Sequence, residues 1–354
     1  MTASNSAPQR PSRIVCVLLP RFNMMSLISV LEPARVANYL VSEPLYEMVY
    51  CSPDGTQVTA SNGMPIACGP LPEKLSQDDL VLVVASWGAE HYANPALLNW
   101  LRRQERLGMR LCAVEMAPYV FARAGLLAGR AATTHWAYLP GFQEKYPDIL
   151  GAEQLFTIDG RIMTCAGSTG ALDFMLHIVR ERQGEALAQE ISNIVLLAQI
   201  REAGAPQRQS IGRGQDGVPG PVNAAVALMT THIAEPLPVP EIARTIGLSQ
   251  RQLERQFKQA MGCSVVQFGL ILRLQHARVL LISTELSVRE IATASGFNSL
   301  SHFAYAFRNC FGRRPSDYRQ AWPDHADAPT WPGTLSTYLD SRARASVPTG
   351  TPRA

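Results

Sequence analysis

The sequence is short of features that would fix a chemistry outright. It has no cysteines spaced as C-x-x-C, and its seven cysteines (Cys16, Cys51, Cys68, Cys112, Cys165, Cys263 and Cys310) are scattered and odd in number. That pattern argues against a disulfide framework and against a zinc site, so the thiols are expected to be buried and reduced. No apolar run approaches the roughly 20 residues of a membrane-spanning helix, and Met1 to Ser12 lack the apolar stretch of a secretory signal. The expected location is therefore the cytoplasm, with no membrane partner and no metal or cofactor. Charge is sparse too, at 17% of residues, and the net charge is only +3.

What is present is length, with 354 residues of which 47% are apolar, enough for two domains with separate cores. Charge is distributed unevenly: Pro221 to Trp322 hold 11 Lys/Arg against 6 Asp/Glu, a balance of +5 that leaves −2 for the rest. Between Gly204 and Pro221 the stretch GAPQRQSIGRGQDGVPGP has the composition of an exposed linker. After Trp322 a tail rich in Pro, Ala, Ser and Thr shows no sustained period and reads as disordered. The expected division is a domain over 13–203, a linker over 204–221, a second domain over 222–322 and a tail over 323–354.

Upstream of the linker, short apolar runs alternate with helical patterns: IVCVLL (14–19), a helix near 25–40, YEMVYC (46–51), LVLVVA (80–85), a helix near 94–107, RLCAV (110–114) and a helix from Pro118. A hairpin turning at Asp159 and Gly160 and helices near 169–183 and 185–201 follow. The alternation predicts an α/β N-terminal domain with a mostly parallel sheet and helices on both faces. Apolar stripes on the last two helices (Leu172, Leu176, Val179; Leu187, Ile191, Ile194, Leu197) exceed what one small domain needs, which suggests a homodimer face. Downstream of the linker everything reads as helix, an all-α C-terminal domain.

That helical region contains a repeat. Ile242, Ala243 and Gly247 match Ile291, Ala292 and Gly296 at an offset of 49, and Leu253, Phe257, Met261 and Gly262 match Phe303, Phe307, Phe311 and Gly312 at 50. Each copy is a short helix, a glycine turn and a second helix with apolar residues at i, i+4 and i+8, so the C-terminal domain is expected to hold two helix-turn-helix modules. Opposite the first stripe lie Arg251, Arg255 and Lys258, flanked by Gln252 and Gln259. Opposite the second lie Ser301, Tyr305 and Arg308, flanked by His302 and Asn309. Such donors suit phosphates and major-groove base edges. A helical pattern from Val265 to Ile282 joins the copies, a rod of roughly 27 Å at ~1.5 Å per residue, which with the width of the modules approaches the ~34 Å of one DNA turn.

Residues 239–319, ending in GFNSLSHFAYAFRNCFGRRPSDYR, resemble the DNA-binding domain of AraC/XylS-type transcription regulators. The resemblance implies that Gln250, Arg251, Gln252, Arg255, Ser299, Ser301, His302 and Tyr305 approach bases, and that Arg308, Arg313 and Arg314 meet phosphates. Double-stranded DNA and RNA polymerase are the partners it implies. Pro315 and Tyr318 match the family's ending and read as core.

In the N-terminal domain the strand-turn-helix at Glu115, in CAVEMAPYVFARAGLL, and AGLLAGRAATTHW (124–136) resemble the class I glutamine amidotransferase-like superfamily, including PfpI-type proteases. In its catalytic members the residue matching Glu115 is a cysteine on a strained elbow. A carboxylate is a poor nucleophile for amide cleavage, so the resemblance implies a pocket that binds without turnover. The combination of the two domains resembles a subgroup of regulators, several of which respond to amino acids or quaternary amines and control their catabolism, so the resemblance implies such a small molecule as the effector and an activator of catabolic genes. Glu115 with Trp87, Tyr119 and Trp136 forms a candidate anionic, aromatic cage for a cation, with His135, Asn23 and Ser26 beside it. The rival is a cysteine hydrolase or amidase carrying a DNA-binding module, which requires an exposed, activated thiol at Cys112.

Overall fold

The computed structural model describes residues 10–207 and 220–320. The expected tail over 323–354 and the 208–219 part of the expected linker lie outside the described residues. The chain falls into two compact units that divide after Gln207.

The N-terminal unit opens with β1 (Ser12–Leu18), α1 (Met24–Leu40) and β2 (Tyr46–Cys51), followed by the small antiparallel pair β3 (Val58–Thr59) and β4 (Pro65–Ile66). Next come β5 (Leu80–Ala85), α2 (Pro95–Arg106), β6 (Arg110–Glu115), α3 (Pro118–Arg123), β7 (Ala131–Ala132), α4 (Leu139–Lys145) and β8 (Leu150–Gly151). The unit closes with the hairpin β9 (Phe156–Asp159) and β10 (Ile162–Cys165), then α5 (Gly170–Gln183) and α6 (Glu185–Ile194). Six strands form one sheet in the order β2-β1-β5-β6-β10-β9, parallel except where β9 pairs antiparallel with β10.

Every residue of β5 is buried, the continuous apolar run expected of a strand covered on both faces. Ile14, Cys16, Leu18, Leu82 and Val84 pack with α1, α5 and α6 in one core. The stripe residues Leu176, Val179 and Ile191 lie fully buried in that same core, so the surplus apolar surface that suggested a dimer through α5 and α6 is mostly consumed within the domain. The second of these helices is also shorter than its pattern: it ends at Ile194, and Leu196 takes φ +57°. Beyond it the chain is held by side chains rather than by helix, with Ser192 Oγ donating to Leu197 O at 3.0 Å and Arg201 gripping the buried Asp173 through Nε at 3.0 Å and Nη2 at 2.6 Å. Residues 204–207, read from composition as linker, belong to this unit, as the hydrogen bonds of Gln207 described below show.

The C-terminal unit consists of α7 (Gly220–Thr231), α8 (Val239–Thr245), α9 (Gln250–Met261), α10 (Val265–Ser283), α11 (Val288–Ala294), α12 (Leu300–Phe311) and α13 (Pro315–Gln320). Ser249, Ser264 and Ser287 start α9, α10 and α11 with capping boxes, and left-handed Gly262 and Gly312 end α9 and α12, each cap stabilising its helix by about 1 kcal/mol. There are two small cores. Val222, Ile242, Leu253, Phe257 and Phe268 make one, and Leu274, Leu280, Ile291, Phe303 and Phe307 the other. Because α10 supplies both, it is apolar on most of its circumference, and its Val265–Ile282 window satisfies the length and composition of a membrane span, contrary to the expectation that no run approaches it. With 56% of that window buried, it is a shared core helix. Pro315 is buried and Tyr318 packs its ring against Phe307 and Phe311.

Candidate functional site

In the N-terminal unit β1, β5, β6 and β10 are successive parallel neighbours, so the residues that follow each strand meet at one edge of the sheet, where open α/β folds form crevices. Asn23 and Ser26 come from the start of α1, Ser86 and Trp87 follow β5, Glu115 closes β6, and Gly167 and Ser168 follow β10. Glu115 sits at φ +63°, a left-handed conformation that a residue with a side chain keeps only where its surroundings enforce it. Its carbonyl accepts from Thr134 Oγ1 and from the His135 N–H. Its carboxylate Oε1 accepts from Ser86 Oγ at 2.8 Å, and Oε2 accepts from Ser26 Oγ. Ser26 Oγ accepts in turn from the Ser168 N–H at 2.7 Å. Gly167, at φ +81°, leaves room for this arrangement, since a Cβ there would lie 2.6 Å from Glu115 Cβ and 2.8 Å from Ser26 Oγ.

The strained elbow is thus present with a carboxyl at its tip. Burial pushes the Glu115 pKa above the ordinary carboxylate value, with hydrogen bonds from Ser26, Ser86 and Asn23 pulling the other way. Only 4% of the residue is exposed. Glu115 is therefore an internal post that ties four strand ends together, and its expected role as the open anionic floor of a cation cage is corrected. Tyr119 is corrected as well: it is fully buried, its hydroxyl donates to Tyr138 O at 2.9 Å, and its ring meets Phe142 edge-on at 5.0 Å. It belongs to the core. Cys112 lies inside β6, where burial pushes its thiol well above its ordinary pKa, so the hydrolase alternative lacks the activated thiol it needs.

The other sequence-selected residues surround the post. Asn23 caps α1, with Oδ1 accepting from the Met25 N–H at 2.9 Å. Trp87, partly buried, lines a cavity of about 80 Å³ with Leu19, Pro20, Arg21, Ala85 and Tyr92, so the charged group lining that cavity is a cation. His135 and Trp136 are half-buried, with ring centroids 5.6 Å apart. Ser86, Thr134, Gly167 and Ser168 were not singled out in the sequence. Ser86 and Gly167 lie within two residues of a strand's C-terminal end, and that position was the available signal.

In the C-terminal unit Arg251, Arg255 and Lys258 on α9, and Ser301, Tyr305, Arg308 and Asn309 on α12, are all exposed, opposite the buried Leu253 and Phe257 or Phe303 and Phe307. Gln250, Gln252, His302, Arg313 and Arg314 are exposed too. Tyr305, 69% exposed, is a large aromatic ring displayed to solvent. Two side chains serve the local fold. The Gln252 carboxamide oxygen accepts from Ser249 in the capping box, and Ser299 caps α12 by accepting from the His302 N–H. The His302 ring also packs edge-on against Phe297 at 5.7 Å.

Two family models match the two units: the DJ-1/PfpI family over residues 15–181 and a helix-turn-helix domain over 242–321. The chain is 37% identical over 327 residues to the HTH-type transcriptional regulator CdhR of Pseudomonas aeruginosa, covering 92% of this chain and 97% of that protein. It is 36% identical over 320 residues to the HTH-type transcriptional regulator GlxA of Rhizobium meliloti, covering 90% and 98%. Among solved structures, an AraC family transcriptional regulator from Pseudomonas putida matches 52% of this chain and all of its own at 25% identity, with a TM-score of 0.46.

Proposed function

The chain belongs to the transcription regulators that join a DJ-1/PfpI domain to an AraC-type helix-turn-helix domain, DNA-binding proteins rather than enzymes, and from that premise we propose a ligand-responsive activator of amino-acid or quaternary-amine catabolic genes. The observation that carries the proposal is the elbow at Glu115: the strained geometry of a nucleophile site is retained while its tip is a buried, hydrogen-bonded carboxyl. Such a tip offers no nucleophile, which leaves the crevice beside it for binding without turnover.

Amino acids and betaines carry a carboxylate beside their ammonium group. Arg21 in the Trp87 cavity suits the carboxylate, and the faces of Trp87 and Trp136 suit the ammonium. The exposed side chains of α9, of α12 and of the turn after α12 are assigned to DNA, with Arg251, Gln250, Arg255, Ser301, His302 and Tyr305 toward bases and Lys258, Arg308, Asn309, Arg313 and Arg314 toward the backbone. A homodimer is favoured by Met25 and Ile28, 51% and 53% exposed and three residues apart, on one side of α1. RNA polymerase is the partner an activator requires, and work on DNA places the protein in the cytoplasm.

Titration calorimetry against glycine betaine, carnitine and arginine tests the sensor assignment. The expected result is binding of one of them that weakens by about tenfold or more in Arg21→Ala or Trp87→Ala, the loss of a charge-assisted or cation–π contact. Binding unaffected by both substitutions would place the effector elsewhere.

A further inference from the structure

The last residues of the N-terminal unit run back to the crevice. Arg201 is held by Asp173, its N–H donating to Oδ1 at 2.7 Å and its guanidinium to Oδ2. The carbonyls of Ala203 and Ala205 then both accept from the Leu155 N–H at 3.1 Å. Gln207, where this unit ends, inserts its carboxamide into the loop that buttresses Glu115. Its Nε2 donates to Thr133 Oγ1 at 2.9 Å, to Thr134 O at 2.8 Å and to Gln154 O at 2.8 Å, and its Oε1 accepts from the Trp136 N–H at 2.7 Å. The same loop reaches the elbow from its other side, through Thr134 Oγ1 and the His135 N–H on Glu115 O. One four-residue loop therefore touches both the strained tip of the crevice and the root of the linker.

We propose that Gln207 is the positioning residue through which an occupant of the crevice governs the root of the linker. The proposal rests on the sensor reading of that crevice. A ligand that engages His135 or Trp136 shifts a loop whose Thr134 carbonyl and Trp136 N–H are the partners of Gln207, so ligand and latch are linked and each changes the stability of the other. With Gln207 seated, residues 208–219 alone separate this unit from α7. With it released, the last hold retreats to Ala205, whose carbonyl accepts from the Leu155 N–H, and residues 206–207 add ~7 Å of reach at ~3.3–3.6 Å per residue. That is about a fifth of the ~34 Å repeat of the duplex, a change of register of about two base pairs between half-sites.

The test uses the full chain, comparing Gln207→Leu, Gln207→Glu and Thr134→Val by amide hydrogen exchange and by tryptic cleavage after Arg201. Gln207→Glu preserves size and the acceptor for Trp136 but sets a carboxylate against the Thr134 and Gln154 carbonyls. Thr134→Val alters only the elbow side of the loop. The expected result is about tenfold faster exchange of the Trp136 amide in Gln207→Leu, as for one lost hydrogen bond of ~1.4 kcal/mol, a smaller increase in Gln207→Glu, and faster cleavage after Arg201 in Thr134→Val. A Trp136 amide that exchanges at the wild-type rate in Gln207→Leu, or an unchanged cleavage rate in Thr134→Val, overturns the coupling. Glycine betaine, carnitine and arginine serve as probes in a second arm: one that binds should change cleavage after Arg201 in the wild type and lose that effect in Gln207→Leu. A probe that binds without changing cleavage sinks the latch and spares the sensor reading, whereas failure of all three to bind sinks the named effector class while the exchange arm still decides the latch.

Discussion

The two helix-turn-helix modules are copies in sequence and unequal in structure. Their turn glycines, Gly247 and Gly296, both sit at φ +75°. A Cβ on Gly247 meets nothing within 4 Å, whereas one on Gly296 would lie 2.4 Å from Ile233 O and 2.7 Å from Pro236 Cγ. The second turn is also gripped by α10, since Arg273 Nη1 donates to Gly296 O at 2.9 Å and its guanidinium lies 4.8 Å over the Phe297 ring. The first module is thus a free-standing turn, and the second is wedged against the segment that follows α7. Their outer faces differ as well: α9 displays Arg251, Arg255 and Lys258, and α12 displays Ser301, His302 and Tyr305 with one arginine, Arg308. The duplicated motif thus presents a more basic face on α9 and a more polar, aromatic face on α12.

The largest expected effect follows from the glycines. Gly296→Ala adds a clash with backbone to an unfavourable φ and should destabilise the C-terminal unit by about 3–5 kcal/mol, while Gly247→Ala meets only the φ penalty of about 1 kcal/mol. Denaturant melts of both variants check this, and equal losses would dissolve the distinction between a free and a wedged turn. Next in size is an acid effect on the helix the modules share. Burial pushes His276 on α10 down to about 4, below its ordinary value, so the folded unit prefers the neutral ring. That contribution is complete above about pH 6.5 and is lost as pH falls toward 4, by up to about 3 kcal/mol. Hydrogen exchange along α10 between pH 7 and 5 should show both ends loosening together, and His276→Leu should flatten the dependence.

The modules should also differ in how they lose DNA. Ser301→Ala or Tyr305→Ala is expected to relax discrimination at particular base pairs by about 1–3 kcal/mol, read by binding to a randomised site library. Arg251→Ala or Arg255→Ala should reduce the slope of log K against log salt by about 1 each if the side chain holds a phosphate, or narrow to a single-base effect if it reads guanine. Titrations at several salt concentrations separate the two outcomes. A flat salt response for α9 variants beside a steep one for α12 variants would show that the more basic face is not the one that carries the phosphate contacts.

Much of this was legible in the chain itself. LVLVVA has no polar alternation and became the fully buried β5, and the repeat with its glycine offsets placed both modules and the α10 rod nearly to the residue. The pattern failed where distant partners decide. Helix α6 carries apolar spacing to Leu197 yet ends at Ile194, where Leu196 takes φ +57° and Ser192 Oγ holds the Leu197 carbonyl, and Arg201 beyond it is held by Asp173, 28 residues away. Tyr119 looked like a pocket ring and is core, since Tyr138 and Phe142 close over it. Gln207 read as linker because Gly, Pro and Gln surround it, and composition does not register hydrogen bonds to Thr133, Thr134, Trp136 and Gln154, all more than 50 residues away.

By itself the sequence determined what local periodicity and turn chemistry can specify: alternating strands and helices, a doubled helical motif, and the faces those helices turn outward. Only the tertiary structure decided that Glu115 is a sealed post, that Gly296 has no room where Gly247 has plenty, and that the linker root is pinned beside the crevice. Those outcomes depend on which groups approach across tens of residues, and the short-range preferences of a chain carry no record of such distances.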